Sequence, residues 1–126
     1  MDTVENEIRR TFRAPVTLHT FGWQKPFELS QIDNDGIVLL LGKGKTHAGL
    51  SWDCLETIPP FLRAQRGWVV AGGEHSLVGT PGTLDHHLKT CLGTDVARWL
   101  TRVLHDAGLV EVDEGPPLRL RLKASR

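Results

Sequence analysis

The front half of the chain carries apolar residues at the spacing of short β-strands. Residues 16–20 and 26–32 alternate apolar and polar side chains, while residues 37–41 are uniformly aliphatic. Alternation of period two is typical of half-buried strands, and a short apolar run is typical of a central one. The Asn34–Gly36 segment before the apolar run contains Asp-Gly, a strong hairpin signal. With a further short strand at 47–50, we expect a small antiparallel meander of three strands over residues 16–50.

The middle of the chain predicts short helices followed by a strand. Ser51 is a typical N-cap residue, because its hydroxyl can accept a backbone N–H of the first turn. The apolar positions after it have helical spacing: Leu55, Ile58 and Leu62. Pro59 and Pro60 interrupt this pattern, since proline inside a helix removes a hydrogen bond and clashes with the preceding turn. We therefore expect two short helices, a short strand within 67–73 and a loop over 74–82.

The last third has the clearest helical pattern. Thr83 is placed to cap a helix over residues 84–92, and Gly93 to end it. Thr94 is placed to cap a second helix over 95–107, closed by Gly108. The apolar residues of the second helix form one stripe: Val96, Leu100, Val103, Leu104 and Ala107. This segment predicts two helices joined by a tight turn.

A β-hairpin is predicted at the end of the chain. Residues 109–113 and 118–123 are strand-like and are separated by Glu114-Gly-Pro-Pro117. With the meander and the helices, this gives an α+β fold. We expect residues 1–126 to form a single compact domain, in which residues 16–73 hold the meander and its helix and residues 83–123 hold the C-terminal unit.

Composition and charge restrict the possible classes. The chain has 126 residues and a mass of 14.0 kDa, which is enough for one hydrophobic core. Fifteen basic and fifteen acidic residues give a formal net charge of zero, whereas domains that bind nucleic acid alone are usually basic. No apolar run is long enough for a transmembrane helix. The acidic start of the chain does not resemble a signal peptide, so we expect a cytoplasmic protein with Cys54 and Cys91 as buried, unpaired thiols.

The C-terminal third resembles a winged helix-turn-helix. The resemblance covers residues 83–123 and is carried by Thr83-Leu84, Leu88, the Leu92-Gly-Thr-Asp-Val96 turn and the Leu104-His-Asp-Ala-Gly-Leu-Val-Glu-Val112 segment. In that superfamily the second helix enters the major groove and the hairpin, or wing, contacts the DNA backbone. The resemblance therefore implies a DNA-binding module, such as a transcription regulator or a reader of particular or modified bases.

The resemblance assigns contacts to residues of the second helix and the wing. Arg98 and Arg102 lie one helical turn apart and suit guanine edges or phosphates. Arg119 and Arg121 share one strand face, because alternate residues point the same way. The Gly42–Thr46 turn resembles a phosphate loop in composition only, but its lysines would extend the surface. The expected contact residues are Lys43, Lys45, Thr94, Arg98, Trp99, Thr101, Arg102, His105, Arg119, Arg121 and Lys123.

A second hypothesis belongs to another class of function. Glu111 and Asp113 lie on the strand opposite Arg119 and Arg121, so cross-strand ion pairs would neutralise the basic ladder. Acidic residues also stand at the start of the predicted recognition helix and at the wing tip. In that case the winged helix serves as a protein–protein adaptor without DNA binding. A neutral DNA-binding domain would itself need a homodimer or a larger partner, such as a nuclease or regulator, to supply affinity.

Other kinds of chemistry have weak support in the sequence. His87 and Cys91 lie four residues apart and His75 precedes them, but zinc needs three or four convergent ligands and core packing explains Cys91. No nucleophile elbow or paired carboxylates stand out, so we expect no enzyme, no metal and no cofactor. Four tryptophans are present, and Trp23 and Trp99 are the candidates for stacking on a base.

Overall fold

A computed structural model of the chain describes residues 3–21, 24–72, 82–91, 96–115 and 117–123. Their helices and strands follow in the order α1 (Val4–Thr11), β1 (Val16–His19), β2 (Pro26–Ile32), β3 (Gly36–Leu41), β4 (Thr46–Ser51), α2 (Trp52–Leu55), α3 (Ile58–Gln65), β5 (Val69–Val70), α4 (Leu84–Lys89), α5 (Ala97–Asp106), β6 (Val110–Asp113) and β7 (Arg119–Leu122). The fold is α+β, as the sequence predicts. Most of the predicted loop at 74–82 lies outside the described residues.

The first sheet is an antiparallel meander in the order β1-β2-β3-β4. It has four strands and not the predicted three, because the two alternating segments before Asp33 form separate strands that pair with each other. Leu29 lies opposite Leu39, which lies opposite Ala48, and all three are buried. This inward row joins three strands into one apolar face. The hairpin predicted around Asp35-Gly36 is confirmed.

Helix α1 is an element that the sequence analysis missed. Thr3 caps it, since the Thr3 hydroxyl accepts the Asn6 amide, and Val4 and Ile8 are buried on one side. The Glu56 carboxylate accepts the backbone amides of Val4 and Glu5 at 2.9 and 3.1 Å. A carboxylate at this position satisfies orphan donors and opposes the positive end of the helix dipole. Helix α1 is thereby held to the end of α2.

The helices after the meander are two, as predicted, but the break precedes the prolines. Ser51 caps α2 by accepting the Cys54 amide. Pro59 and Pro60 lie in the first turn of α3, where the missing amide hydrogens have no intrahelical acceptor in any case. Proline therefore begins the second helix here and does not interrupt it.

Cys54 and Cys91 are joined by a disulfide, so the prediction of two unpaired buried thiols is wrong. Their Cα atoms are 6.0 Å apart although 37 positions separate them in sequence. Cys54 is buried in α2, whereas Cys91 is exposed just beyond α4. The cross-link ties the helix that follows the meander to the first helix of the C-terminal unit.

The C-terminal unit contains the second sheet, in the order β5-β7-β6. The Thr83 hydroxyl accepts the His86 amide and caps α4 as predicted, while Thr94 lies outside the described residues. The predicted stripe of α5 is fully buried. Gly108 has a φ of +79° and the Leu109 amide donates to the Leu104 carbonyl. This is the glycine-terminated helix end that the sequence predicts.

One continuous core contains residues of both sheets and of all five helices. Helix α5 packs against β1 and α1 from the N-terminal part of the chain, and against α4 and β6 from its C-terminal part. Its buried leucines and valine therefore connect the meander to the second sheet. Among the described residues, no helix has the length and apolarity needed to cross a membrane.

Replacing Gly36 tests the packing between β3 and β4. The residue has a φ of +150°, and an added Cβ would lie 1.9 Å from the Leu50 carbonyl oxygen. We expect Gly36→Ala to lower the free energy of unfolding by about 1–3 kcal/mol, measured by urea denaturation. The control is Gly44→Ala, where an added Cβ meets nothing and the change stays within about 0.5 kcal/mol. Equal stability of the two variants would contradict the described register.

Reducing the disulfide tests the link between α2 and α4. Closing a loop of this length restricts the unfolded chain, so reduction is expected to lower the free energy of unfolding by about 3–5 kcal/mol. The measurement is urea denaturation with and without a thiol reductant. Cys91→Ser is the control, because its stability should not respond to the reductant. A wild-type midpoint that is the same in both conditions would show that the cross-link is not formed.

Candidate functional site

The polar side of α5, expected to contact DNA, is partly covered in the structure. Arg98, Trp99 and Arg102 are half-buried, and His105 is exposed. Thr101 is completely buried, so its assignment to the exposed face is wrong. Its hydroxyl donates to the Ala97 carbonyl at 2.7 Å, which satisfies the polar group within the helix and allows its burial.

Phe21, just beyond β1, covers the C-terminal half of this side. The Arg102 guanidinium lies 4.8 Å from the centre of the Phe21 ring, and His105 meets the same ring edge-on at 5.2 Å. The Asp106 carboxylate contacts both side chains, with Arg102 Nε at 3.1 Å and His105 Nδ1 at 3.0 Å. DNA that receives α5 in its major groove would have to displace Phe21 and compete with Asp106 to contact these residues.

The second sheet presents a row of paired charges away from the core. One side of β6 and β7 is buried or partly buried and carries Val110, Val112, Leu120 and Leu122. The alternate positions of the two strands therefore point outward. Arg121 lies opposite Glu111 and Arg119 opposite Asp113. Both arginines form ion pairs with those carboxylates. The cross-strand pairing considered in the sequence analysis is therefore present, and it uses the two arginines expected to contact phosphate.

Trp68 completes this surface, which we call the outer face: Trp68, Val70, Glu111, Asp113, Arg119 and Arg121. Trp68 is 40% exposed and is the one exposed large hydrophobic side chain among the described residues. The Arg121 guanidinium lies 4.3 Å from its ring centre, within the range of a cation–π contact. Trp68 is not among the contact residues predicted from the sequence. One signal was available in the sequence. Trp68 and Val70 are two residues apart, the spacing at which side chains share one face of a strand, and Arg119 and Arg121 have the same spacing.

The expected lysines are dispersed among separate elements. Lys43 and Lys45 are exposed in the turn between β3 and β4, where the Lys45 amide donates to the Gly42 carbonyl. That geometry is a hairpin turn, as the spacing predicts. Lys123 is exposed after β7. Within the described ranges, none of the three forms an ion pair or a hydrogen bond through its ammonium group.

His87 lies in a small polar cluster beside the disulfide. The Thr57 hydroxyl donates to the Cys54 carbonyl at 2.6 Å and lies 2.9 Å from His87 Nε2. Because that hydroxyl hydrogen is already used, Nε2 donates to the Thr57 oxygen. Phe61 stacks on the imidazole at 4.3 Å. Burial, and to a lesser extent the neighbouring His86, lowers the pKa of His87 below 6.5.

The structure does not assemble a metal site from this histidine. The Cys91 sulfur is bonded to Cys54, so it is not a thiolate ligand for the metal that His87 and Cys91 suggested. Among the described residues, no three metal-binding side chains converge. His75 and Trp23 lie outside those residues, Trp52 is buried and Trp99 is packed against the core.

Comparisons with known proteins add no assignment. No protein-family model matches this chain, and no solved structure matches it.

The depressed pKa of His87 predicts acid sensitivity of the fold. Since the unfolded chain binds a proton at this position more readily than the folded chain, the free energy of unfolding should fall as the pH drops below 6.5. His87→Gln should give a flatter dependence between pH 7 and pH 5, measured by urea denaturation at each pH. The control is His47→Gln, at an exposed position. A His87→Gln profile as steep as that of wild type would contradict the assignment.

Proposed function

We propose that this protein is a non-enzymatic protein–protein adaptor that binds a folded partner through the outer face. The observation that carries the proposal is the Trp68–Arg121–Glu111 row. The tryptophan is exposed, the arginine lies over its ring, and the carboxylate holds the arginine at 2.8 Å. Tryptophan and arginine are among the residues most enriched at the centres of protein interfaces.

The row is prepared for binding before a partner arrives. Arg121 has contacts on both sides, with Glu111 of β6 on one side and the ring of Trp68, which precedes β5, on the other. A side chain already held in one geometry loses less conformational entropy on association. Val70 and the Arg119–Asp113 pair extend the same surface. The partner is therefore expected to present an apolar pocket for the indole with polar groups around it.

The pattern of charge favours a protein partner over nucleic acid. DNA affinity comes largely from cations that neutralise phosphates and release counterions. Three of the arginines assigned to that task have carboxylate partners within this chain: Arg102, Arg119 and Arg121. The net charge is also zero. Such a surface offers paired charges of both signs, which discriminate between protein partners more than they attract a polyanion.

DNA binding is the second candidate, and the order of elements favours it. Helices α4 and α5 are followed by the β6–β7 hairpin, and α5 packs against β6. This arrangement agrees with the winged helix-turn-helix resemblance. The arginine pairs of the hairpin are 39–46% exposed, and exposed pairs contribute only about 0–1 kcal/mol. Under this candidate, phosphates replace the carboxylates and a cytoplasmic dimer supplies the missing affinity.

Affinity purification with quantitative mass spectrometry tests the adaptor function. Wild type, Trp68→Ala and Arg121→Lys serve as baits in extracts of the source cell. We expect the same proteins with wild type and the control Lys43→Ala, whose change lies in the turn between β3 and β4. Trp68→Ala should lose them and Arg121→Lys should retain less, because lysine keeps the charge but not the planar stack.

Direct titration of the recovered protein then completes the test. Loss of at least roughly tenfold in affinity for Trp68→Ala, with an unchanged melting temperature, supports a hot spot. Recovery of the same proteins by Trp68→Ala and wild type would contradict the assignment of the outer face.

A further inference from the structure

Strand β4 is an edge of the four-stranded sheet formed by the described residues. It pairs with β3 over six consecutive positions without a bulge, and it contains no proline. Within the described residues, β3 is its only strand neighbour. An edge strand of this length presents unpaired backbone groups to any chain that can align with it.

The backbone groups that point outward can be identified from the register. The Trp52 amide donates to the Asp35 carbonyl, one step beyond the Gly36–Ser51 pair. Hydrogen-bonded and non-hydrogen-bonded pairs alternate in an antiparallel ladder. The amides of His47, Gly49 and Ser51 therefore point away from β3, as do the carbonyls of His47 and Gly49. Among the described residues, no backbone hydrogen bond reaches these groups.

The other sheet edges are shorter. Strand β1, at the opposite edge of the meander, has four residues and packs against α5. Strand β6 also has four residues and packs against α5, and β5 has only two. Strand β4 has six. It is thus the longest edge and the one that an added strand can extend furthest.

We propose that two copies of this chain associate through β4, antiparallel, around a two-fold axis at Gly49. Opposed residues must lie on the same side of the extended sheet, and this register meets that condition. Gly49 opposes Gly49, and His47 opposes Ser51, so the outward carbonyls of His47 and Gly49 accept the outward amides of Ser51 and Gly49 from the other copy. An added Cβ at Gly49 meets nothing in one copy, so a side chain can be introduced there without disturbing the single chain.

Charge complementarity supports a second copy as the occupant. Exposed Lys45 precedes β4, and exposed Asp53 follows it. In the two-fold register, Lys45 of each copy comes beside the end of the strand from which Asp53 of the other copy follows. Lys45 forms no ion pair within the described residues of its own chain. When the two ends of a strand carry opposite charges, two copies bring unlike charges together only if the strands pair antiparallel.

Disulfide trapping tests the register. In the proposed dimer the two Gly49 Cα atoms are about 5.5 Å apart, a separation that a disulfide spans. Gly49→Cys is expected to form a cross-linked dimer under a mild oxidant, identified as a 49–49 linkage by peptide mass spectrometry. Lys43→Cys is the matched control in an exposed turn, because its two copies lie roughly 40 Å apart. Equal cross-linking rates for the two variants would overturn the proposal.

Sedimentation equilibrium of the unmodified chain tests the association itself. The average mass should rise from 14.0 kDa toward twice that value as the concentration increases. Gly49→Pro removes an outward amide without touching a bond to β3, and edge positions of this kind tolerate proline. It should remain monomeric with β3–β4 intact. Should Gly49→Pro not fold, Gly49→Lys places two ammonium groups opposite each other and should also prevent association.

Two results would overturn the dimer. One is a wild-type mass of 14.0 kDa at every concentration. The other is a concentration-dependent dimer that a folded Gly49→Pro or Gly49→Lys chain still forms. Both are independent of the adaptor function, since β4 and the outer face share no residue and Trp68→Ala leaves this edge unchanged.

Discussion

Burial of the apolar side of α5 is the constraint on which the arrangement of both sheets depends. Leu100, Val103 and Leu104 have essentially no exposed surface, and their helix packs against β1 and α1 as well as α4 and β6. A stripe of this kind must be covered on more than one side to be removed from water. The meander supplies one cover and the second sheet the other. The same packing brings Phe21 over Arg102.

This constraint also determines what α5 can offer to a ligand. A recognition helix needs a broad polar side that remains accessible, whereas here Thr101 is buried and Arg98, Trp99 and Arg102 are half-buried. The charged groups that remain at the surface of the second sheet are joined in pairs. Arg121 contacts both Glu111 and Trp68, so a cation, an anion and an aromatic ring form one surface. That combination is suited to a protein partner.

Local chemistry made much of the fold predictable. The capping hydroxyls of Ser51 and Thr83, the stripe of α5 and Gly108 at its end each act within a few residues, and the structure has all of them. Helix α1 carried the same kind of signal in Thr3 and in the Val4–Ile8 spacing, and the sequence analysis overlooked it.

The candidate site was less predictable because its parts meet through tertiary packing. Trp68 and Arg121 are far apart in sequence and adjacent across β5 and β7. The Cys54–Cys91 bond likewise depends on how α2 and α4 approach, which no spacing in the sequence specifies. The Glu111–Arg121 and Asp113–Arg119 pairs could be anticipated, because a hairpin places residues at known registers. Pattern alone did not show that Phe21 covers Arg102.

The central claim is that carboxylates within the chain occupy the arginines of the hairpin. Fluorescence anisotropy of a labelled DNA duplex, titrated with protein at roughly 50 and 200 mM salt, tests it most directly. We expect wild type to show no saturable binding, and Glu111→Gln/Asp113→Asn to bind with a steep dependence on salt, because its arginines are released. Steeply salt-dependent binding by wild type that disappears in Arg98→Ala/Arg102→Ala would contradict the account and establish α5 as a DNA-reading helix.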